Sequence, residues 1–511
     1  EAEVARHNTA SDCWVIIDGY VYNVTSFLDI HPGGRGVLLP YGGRDATEIF
    51  VSLHRMEHLR QYADMLLVGR LPDAPATEPH RVAPDHISGV PYAEASAWQG
   101  FHSPYFTAQH LQFRKAVRKL VQQELVPHAQ TYENSGKDPA PELYHRMGEL
   151  GLLACRIGPA VRPYMKQLEL PGGVPAEQFD YFHEMIAHEE YARTGCPGFC
   201  DGLGGGMVIG LPPVVLFGSP AVKAKYVMPV LQGKRRIALA ISEPFAGSDV
   251  ANIRTTAKRS PCGEYFIVNG VKKWITNGTF ADIFTVAVRT GGEGIGGISL
   301  LVVERGPGLS TKKIKTSYSG CAGTAYVEFE DVKVPVGNLL GKENDGFRCI
   351  MANFNHERWL IIVGITAAVR LVVEECMKWA HQREVFGEKL IEKPVIRQKL
   401  GAMVAQVEGV QNWLENITYQ MQRMSYQDQT RLLAGPLALL KYQCTRVAEF
   451  VSSESCQIFG GRALTTSGMG RIVARFRTAQ KFGSILGGSE EIMCDLGIRQ
   501  AMRSMPPLAR L

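Results

Sequence analysis

Two histidines and a tight turn are the first residues in this sequence able to do chemistry. HPGG occupies positions 31–34, and His54 follows in EIFVSLH. A neutral imidazole is a good iron ligand, and a pair of them can hold the two axial faces of a haem. Pro32, Gly33 and Gly34 force a tight turn after His31 and let backbone approach a flat macrocycle closely. Trp14, Tyr22, Phe27, Leu28 and Phe50 would line a dry pocket. His58 is a rival for the second ligand. With both iron faces taken by protein, such a centre transfers single electrons and leaves oxygen no open coordination site.

A second set of residues lies further along. AISEPFAGSD (240–249) follows a β-like run, and KKWITNG occupies 272–278. Together they supply the hydroxyls of Ser242, Ser248 and Thr276 and one large aromatic, Trp274. That combination suits a planar polar ligand stacked on an aromatic wall. QREVFG (382–387) carries Arg383 and Phe386, and its guanidinium can make a charge-assisted bond to phosphate. CQIFGGRALT (456–465) contributes Gln457, Gly460 and Gly461. NHERW (355–359) places Glu357 beside Arg358, and LGGSEEI (486–492) holds Gly487, Glu490 and Glu491. A carboxylate can take a proton from carbon when a dry pocket raises its pKa and donors hold the adjacent carbonyl oxygen.

These residues need elements to hold them. The 511 residues are enough for two to four domains, with an ordinary 45% hydrophobic and 21% charged content. Collagen, coiled coil and general disorder are excluded. Residues 1–70 hold six Arg, no Lys and nine acidic residues, a net −3, whereas the whole chain is +5. The asymmetry marks two units of different origin, and the weak net charge does not call for a nucleic-acid partner. Prolines at 72, 75, 79, 84 and 91 defeat both helix and strand pairing, so residues 72–97 read as a semi-extended linker.

Beyond the linker, 98–236 is helical, with Thr107 capping a helix whose apolar face carries Val117, Leu120, Val121 and Leu125. The segment 237–345 is a run of short β-rich stretches, expected to be antiparallel. From 346 to 511 the helical period returns, with long stretches predicted at 347–384, 394–424 and 431–459. The uncharged stretch 202–222 is broken by Pro212 and Pro213 and is expected to be a core helix plus a buried turn, so no membrane span is expected. Eleven cysteines, an odd number without a CxxC pair, point to free thiols in a reducing compartment.

The run DCWVIIDGYVYNVTSFLDIHPGG resembles the cytochrome b5 family over residues 1–71. The resemblance implies haem b held by His31 and His54. The later segments, taken in order, resemble the acyl-CoA dehydrogenase family over residues 98–504. This implies a multidomain α+β architecture: a small b5-like haem domain, then a helical domain, a β-barrel-like domain and a C-terminal four-helix bundle. It also implies FAD bound through Ser242, Ser248, Trp274 and Thr276, with Glu491 a flavin-side contact. Arg383 and Phe386 would reach the FAD pyrophosphate of a neighbouring subunit in a homodimer or homotetramer, and Gln457, Gly460 and Gly461 its adenine half. Asn252 stands where the family's signature usually has a smaller residue.

The family's base usually lies near the C-terminal end, where this chain has Gly487. Long-chain and isovaleryl members carry it on an earlier helix in an ER-type motif, and Glu357 matches that placement. Gly487 would then lend its N–H to the thioester carbonyl. The neighbouring His356 and Trp359 have no role in that chemistry, and packing is the expectation for His356. The insert RPYMKQLELPGGVP (162–175) lies where substrate-pocket loops often lie.

The reading that follows is α,β-dehydrogenation of an acyl-CoA in fatty acid β-oxidation, with the haem exchanging electrons with the flavin or with an external donor or acceptor. An oxidase or nitroalkane-type flavoenzyme is an alternative, and so is a non-catalytic electron-transfer protein. The terminal Ala509-Arg510-Leu511 resembles a peroxisomal tripeptide, with the mitochondrial matrix as the rival location. The opening Glu1, rather than Met, leaves room for residues upstream.

Overall fold

A computed structural model describes residues 1–56, 59–74 and 83–506. His58 and Ala509-Arg510-Leu511 lie outside the described residues. The chain forms two compact units: residues 1–83 with Glu375–Gly401 and Gln457–Ile472, and Pro84–Glu374 with Ala402–Cys456 and Val473–Leu511. The helix Gly346–Gln382 contributes residues to each.

In the smaller unit a four-stranded sheet runs in the order Asn8–Thr9, Asp12–Ile17, Tyr20–Asn23, Leu67–Arg70. The Asp18-Gly19 turn, both residues at positive φ, joins two strands in tight hairpin register, Ile17 opposite Tyr20. The strand period of two sends Cys13, Val15 and Ile17 into one apolar cluster with Leu28, Leu59 and Leu66. Trp14 and Ile16 go to the other face, with Val4 and Val21. Short helices Arg35–Leu38, Thr47–Leu53 and Arg60–Leu66 cover the first cluster.

The larger unit carries helices Ala108–Leu120 and Tyr181–Ala192, then an eight-stranded sheet, then helices from 346 onward. Thr107 caps its helix as expected, through a reciprocal capping box with His110. The long helices span Gly346–Gln382, Pro394–Arg423 and Ala434–Phe459, close to the predicted stretches.

Two expectations are corrected. The β domain is neither barrel-like nor wholly antiparallel: among the described residues it is an open mixed sheet. Ile237–Ala240 runs parallel to Ile283–Arg289, which is antiparallel to Ile298–Glu304. Every residue of IALA and all but the last of IFTVAVR are buried. Strands covered on both faces read as continuous apolar runs, the pattern of a parallel pair rather than of a half-solvated antiparallel edge. The second correction concerns Pro212 and Pro213, which lie inside the helix Gly205–Phe217. Pro213 cannot donate to the Ile209 carbonyl, and Asn353 supplies the missing donor at 2.9 Å. Thr285 bonds the next carbonyl, Gly210, at 2.8 Å. Pro197–Phe217 is long and apolar enough to cross a membrane by composition, yet most of it is buried in the protein.

The described end of the predicted linker carries turns near Pro84 and Pro91 and a short helix Ser96–Gln99, and it is docked. Glu94 is buried between Arg114 and Arg118, each at 2.7 Å, and Arg193 at 3.5 Å. Arg114 also meets Glu189 at 2.5 Å, and Arg118 meets Glu190 at 2.5 Å and the His86 carbonyl at 3.0 Å. Arg370 donates to the Tyr92 and Glu94 carbonyls. Burial raises the Glu94 pKa, but the surrounding guanidiniums outweigh it and hold the carboxyl well below the usual range. Arg114→Leu, which leaves Glu94 and Glu189 short of a counter-charge, should cost about 3–5 kcal/mol. Urea unfolding would register this as a lower midpoint, and an unchanged midpoint would mean that water solvates these carboxylates.

Candidate functional site

The first candidate site lies in the smaller unit. His31 follows the one-turn helix Thr25–Phe27, its amide bonded to the Phe27 carbonyl. The Gly33 amide donates to His31 Nδ1 at 3.1 Å, turning that nitrogen into the HPGG turn. A Cβ on Gly33 would lie 3.0 Å from His31 Cε1, so a side chain there would press on the imidazole. His54 ends the helix Thr47–Leu53 and bonds back to the Phe50 carbonyl at 2.7 Å. The two imidazole centroids are 5.8 Å apart with a 59° interplanar angle. Phe50 stacks on His54 at 5.0 Å, and Phe27 meets His31 edge-on at 5.7 Å. Desolvation lowers the His31 pKa, keeping the ring in its neutral, metal-binding form. Two imidazoles close together among aromatic walls fit a haem iron.

In the larger unit the segments 240–249 and 272–278 lie side by side. The Lys273 amide donates to the Ser242 carbonyl at 2.8 Å. Beneath them Lys272, fully buried, donates to the Ile241 carbonyl at 3.0 Å and to Glu243 at 2.7 Å. Burial pulls the Lys272 pKa down to about 8, with Glu243 opposing. Glu243 also accepts the Arg254 and Thr255 amides. Trp274 leaves 55% of its surface exposed and sits at φ +66°. A left-handed aromatic stores roughly 1–2 kcal/mol of strain. Apart from Tyr92, the other positive-φ aromatic among the described residues is Phe386, 97% exposed, on a second predicted cofactor segment. Ser242 and Thr276 are half-buried and Ser248 is exposed. An exposed aromatic face beside hydroxyls and backbone donors fits a flavin ring.

Glu357 and Gly487 come together in the same unit. A Cβ built on Gly487 would stand 3.7 Å from Glu357 Oε1, so the two positions address one spot. Gly487 has φ +62° and no space, since Ile361 Cδ1 would lie 2.6 Å from that Cβ. Arg358 Nε donates to the Gly487 carbonyl at 3.2 Å, and Lys441 Nζ to the Gly483 and Gly488 carbonyls at 3.1 and 2.7 Å. Glu357 is buried, and its Oε2 has no hydrogen-bond partner among the described residues. Burial pushes its pKa up to about 7, against the pull of Arg358, Lys441 and His356. His356 does stack on Trp359, and it also bonds Glu184 Oε1 at 2.8 Å, so the expected packing role is incomplete. Glu490 is buried and Glu491 exposed at the start of the last helix.

Arg383, Phe386, Gln457, Gly460 and Gly461 are exposed and belong to the smaller unit, apart from the Glu357 set. Sequence reasoning missed Lys272, Glu243 and Lys441. Each is a charge set in an apolar run, IALAISE, GVKKWI and LALLKYQC, and that isolation was the available signal.

Comparison with known proteins places this geometry. Residues 107–234, 238–332 and 344–502 match the acyl-CoA dehydrogenase N-terminal, middle and C-terminal domains, and residues 1–72 match the cytochrome b5-like haem/steroid binding domain. The chain is 38% identical over 423 residues to the acyl-CoA dehydrogenase apdG of Emericella nidulans, covering 82% of this chain and 96% of that protein. It is 30% identical over 400 residues to the mitochondrial long-chain specific acyl-CoA dehydrogenase of Mus musculus, covering 77% of this chain and 87% of that one. The structure of an acyl-CoA dehydrogenase complexed with FAD from Bacillus anthracis superposes with a TM-score of 0.70 at 27% identity, over 80% of this chain and 70% of that one. The chain therefore belongs to the acyl-CoA dehydrogenase family of flavin oxidoreductases acting on CH–CH donors, with a cytochrome b5-like domain at its N-terminus.

Proposed function

We propose that the enzyme introduces an α,β double bond into an acyl-CoA thioester, with Glu357 as the base and the haem unit as an electron-transfer partner of the flavin. The observation that carries this reading is the buried Glu357 carboxylate, one oxygen unpartnered, beside the Gly487 turn. A carboxylate stripped of water and hydrogen bonds is a stronger base than one in solvent, and a pKa near 7 suits proton transfer at neutral pH.

The Gly487 amide would donate to the thioester carbonyl oxygen, easing departure of the α proton. Glu357 takes that proton as the α C–H bond breaks, and the carboxylate becomes the neutral acid. FAD, when bound, accepts the β hydrogen with its electron pair, leaving the enoyl thioester. Ser242, Trp274 and Thr276 would seat the flavin ring, with Ser248 and Glu491 beside it. Arg383, Phe386, Gln457, Gly460 and Gly461 would serve the pyrophosphate and adenine of a neighbouring subunit's cofactor. The bare ring of Phe386 supports an oligomer in which that hairpin is covered. His31 and His54 would hold haem b, which carries one electron at a time, so each thioester oxidised can reduce two ferric irons.

Lys272→Met should lower the flavin content of the purified protein, because it leaves Glu243 buried without its counter-ion beneath the cofactor-binding segments. An unchanged flavin-to-protein ratio would separate this pair from cofactor binding. Glu357→Gln should retain FAD and slow flavin bleaching by acyl-CoA about 10²–10⁴-fold. Normal bleaching would sink the base assignment. In the parent, kcat/KM should rise with pH through about 7 as the free enzyme's carboxyl ionises.

The same group has a stability signature. Between an unfolded pKa of 4.5 and a folded value of about 7, the unfolded Glu is charged while the folded one holds its proton. Folding therefore grows less favourable as pH rises across that window. Glu357→Gln should be no more stable than the parent below the window, and more stable above it by up to about 3 kcal/mol. Equal pH dependence of the two melts would contradict the shifted carboxyl.

A further inference from the structure

The smaller unit contains a contact that neither haem ligation nor flavin binding requires. The helix Thr47–Leu53 ends at His54 and leaves carbonyls at its C-terminal end without partners of its own. Gln382, far along the chain, closes that end: its side-chain amide donates to the Val51 carbonyl and to the His54 carbonyl, the latter at 2.8 Å. One residue on, Arg55 forms an ion pair with Glu375, and its second guanidinium nitrogen reaches the Glu375 carbonyl at 3.5 Å. Both side chains are largely buried, so this is not a solvent-screened surface pair.

Glu375 and Gln382 are seven residues apart on one helix, two turns along the same face, a span of about 10 Å. Trp379 lies between them, four residues after one and three before the other, and so on the same stripe. Its indole N–H donates to the Ile458 carbonyl at 3.2 Å, its ring stacks on Phe459 at 5.5 Å, and Arg462 lies over it at 5.1 Å. A single helical face thus grips the His54 loop at both ends and the segment around Gln457–Gly461 in the middle.

We propose that Glu375 and Gln382, on a helical face whose Trp379 is anchored on the Ile458–Arg462 segment, form a docking face for this chain's own haem-ligand loop, residues 51–55, and that Gln382 is a positioning residue for His54. The inference rests on the reading of His31 and His54 as haem ligands. The two ends of the clasp are chemically different. The Arg55–Glu375 pair gives attraction and register, whereas the neutral Gln382 fixes the backbone from which the imidazole hangs. Disturbing the first undocks the loop, and disturbing the second reorients a ligand on a loop that stays docked.

The test uses the full-length holoprotein with four variants: Arg55→Glu, Glu375→Arg, the two together, and Gln382→Leu. Hydrogen exchange of the amides in residues 50–55 reads docking directly, whatever the haem does. Each single reversal should speed exchange there about tenfold, and the double reversal should bring it back to within about threefold of the parent. Anaerobic mixing with an acyl-CoA reads function: flavin bleaching should stay within about twofold of the parent while haem reduction slows about tenfold in the single reversals and recovers in the double. Gln382→Leu should keep the exchange pattern of the docked loop and alter the low-spin ferric haem spectrum and its reduction midpoint, because His54 turns on the iron. Unchanged exchange in the single reversals, or no recovery in the double, overturns the docking face. An unshifted spectrum and midpoint in Gln382→Leu overturns the positioning role. A parent protein that binds no haem overturns the haem reading itself, and the exchange measurement still decides the docking face.

Discussion

A carboxylate kept from water and from hydrogen-bond donors becomes a stronger base, and the larger unit holds Glu357 in that condition. It is buried, its Oε2 is without a partner among the described residues, and its pKa is pushed up to about 7. The neighbouring cations do not quench it. Arg358 and Lys441 spend donors on the carbonyls of Gly487, Gly483 and Gly488, so their charge moderates the carboxyl while their hydrogen bonds shape the turn opposite. That turn needs glycine at 487, because φ is positive and Ile361 fills the place of a Cβ.

Other buried carboxylates in the same unit show what the protein does when it needs structure instead of reactivity. Glu94 is surrounded by Arg114, Arg118 and Arg193, and Glu243 is matched by Lys272 and two amides. A buried charge with its partners in place specifies geometry, and removing one partner is costly. Glu94 fixes the chain from 86 to 94 on the helical body, and Glu243 ties together the two segments that present Trp274. Glu357 stands apart from these.

The smaller unit has a different pattern. Its two imidazoles, with centroids 5.8 Å apart, stand on short, separate elements, the HPGG turn and the end of a seven-residue helix. Neither element is long enough to be rigid alone. Gly33 lets the turn close on His31, and Phe27 and Phe50 wall the rings. The helix that ends at His54 is capped by Gln382, so its position depends on sequence-distant residues of the same unit.

Local chemistry was legible in the sequence. HPGG, the 3.6-residue period of the long helices and the Thr107 cap are patterns of neighbouring residues, and backbone geometry fixes their meaning within a few turns. The acyl-CoA dehydrogenase and cytochrome b5-like identities rest on the same kind of pattern. Tertiary structure decided what depends on residues far apart in the chain. Parallel pairing of Ile237–Ala240 with Ile283–Arg289 follows from burial on both faces, which an apolar run alone does not distinguish from a helix core. Pro213 is tolerated inside its helix because Asn353, from another element, bonds the Ile209 carbonyl that the proline leaves free. The proline-rich approach to residue 94 is held because four arginines converge on it and on Glu94. The burial that makes Glu357 basic is likewise a property of the packed helices, since no short stretch of sequence can remove water from its own side chain.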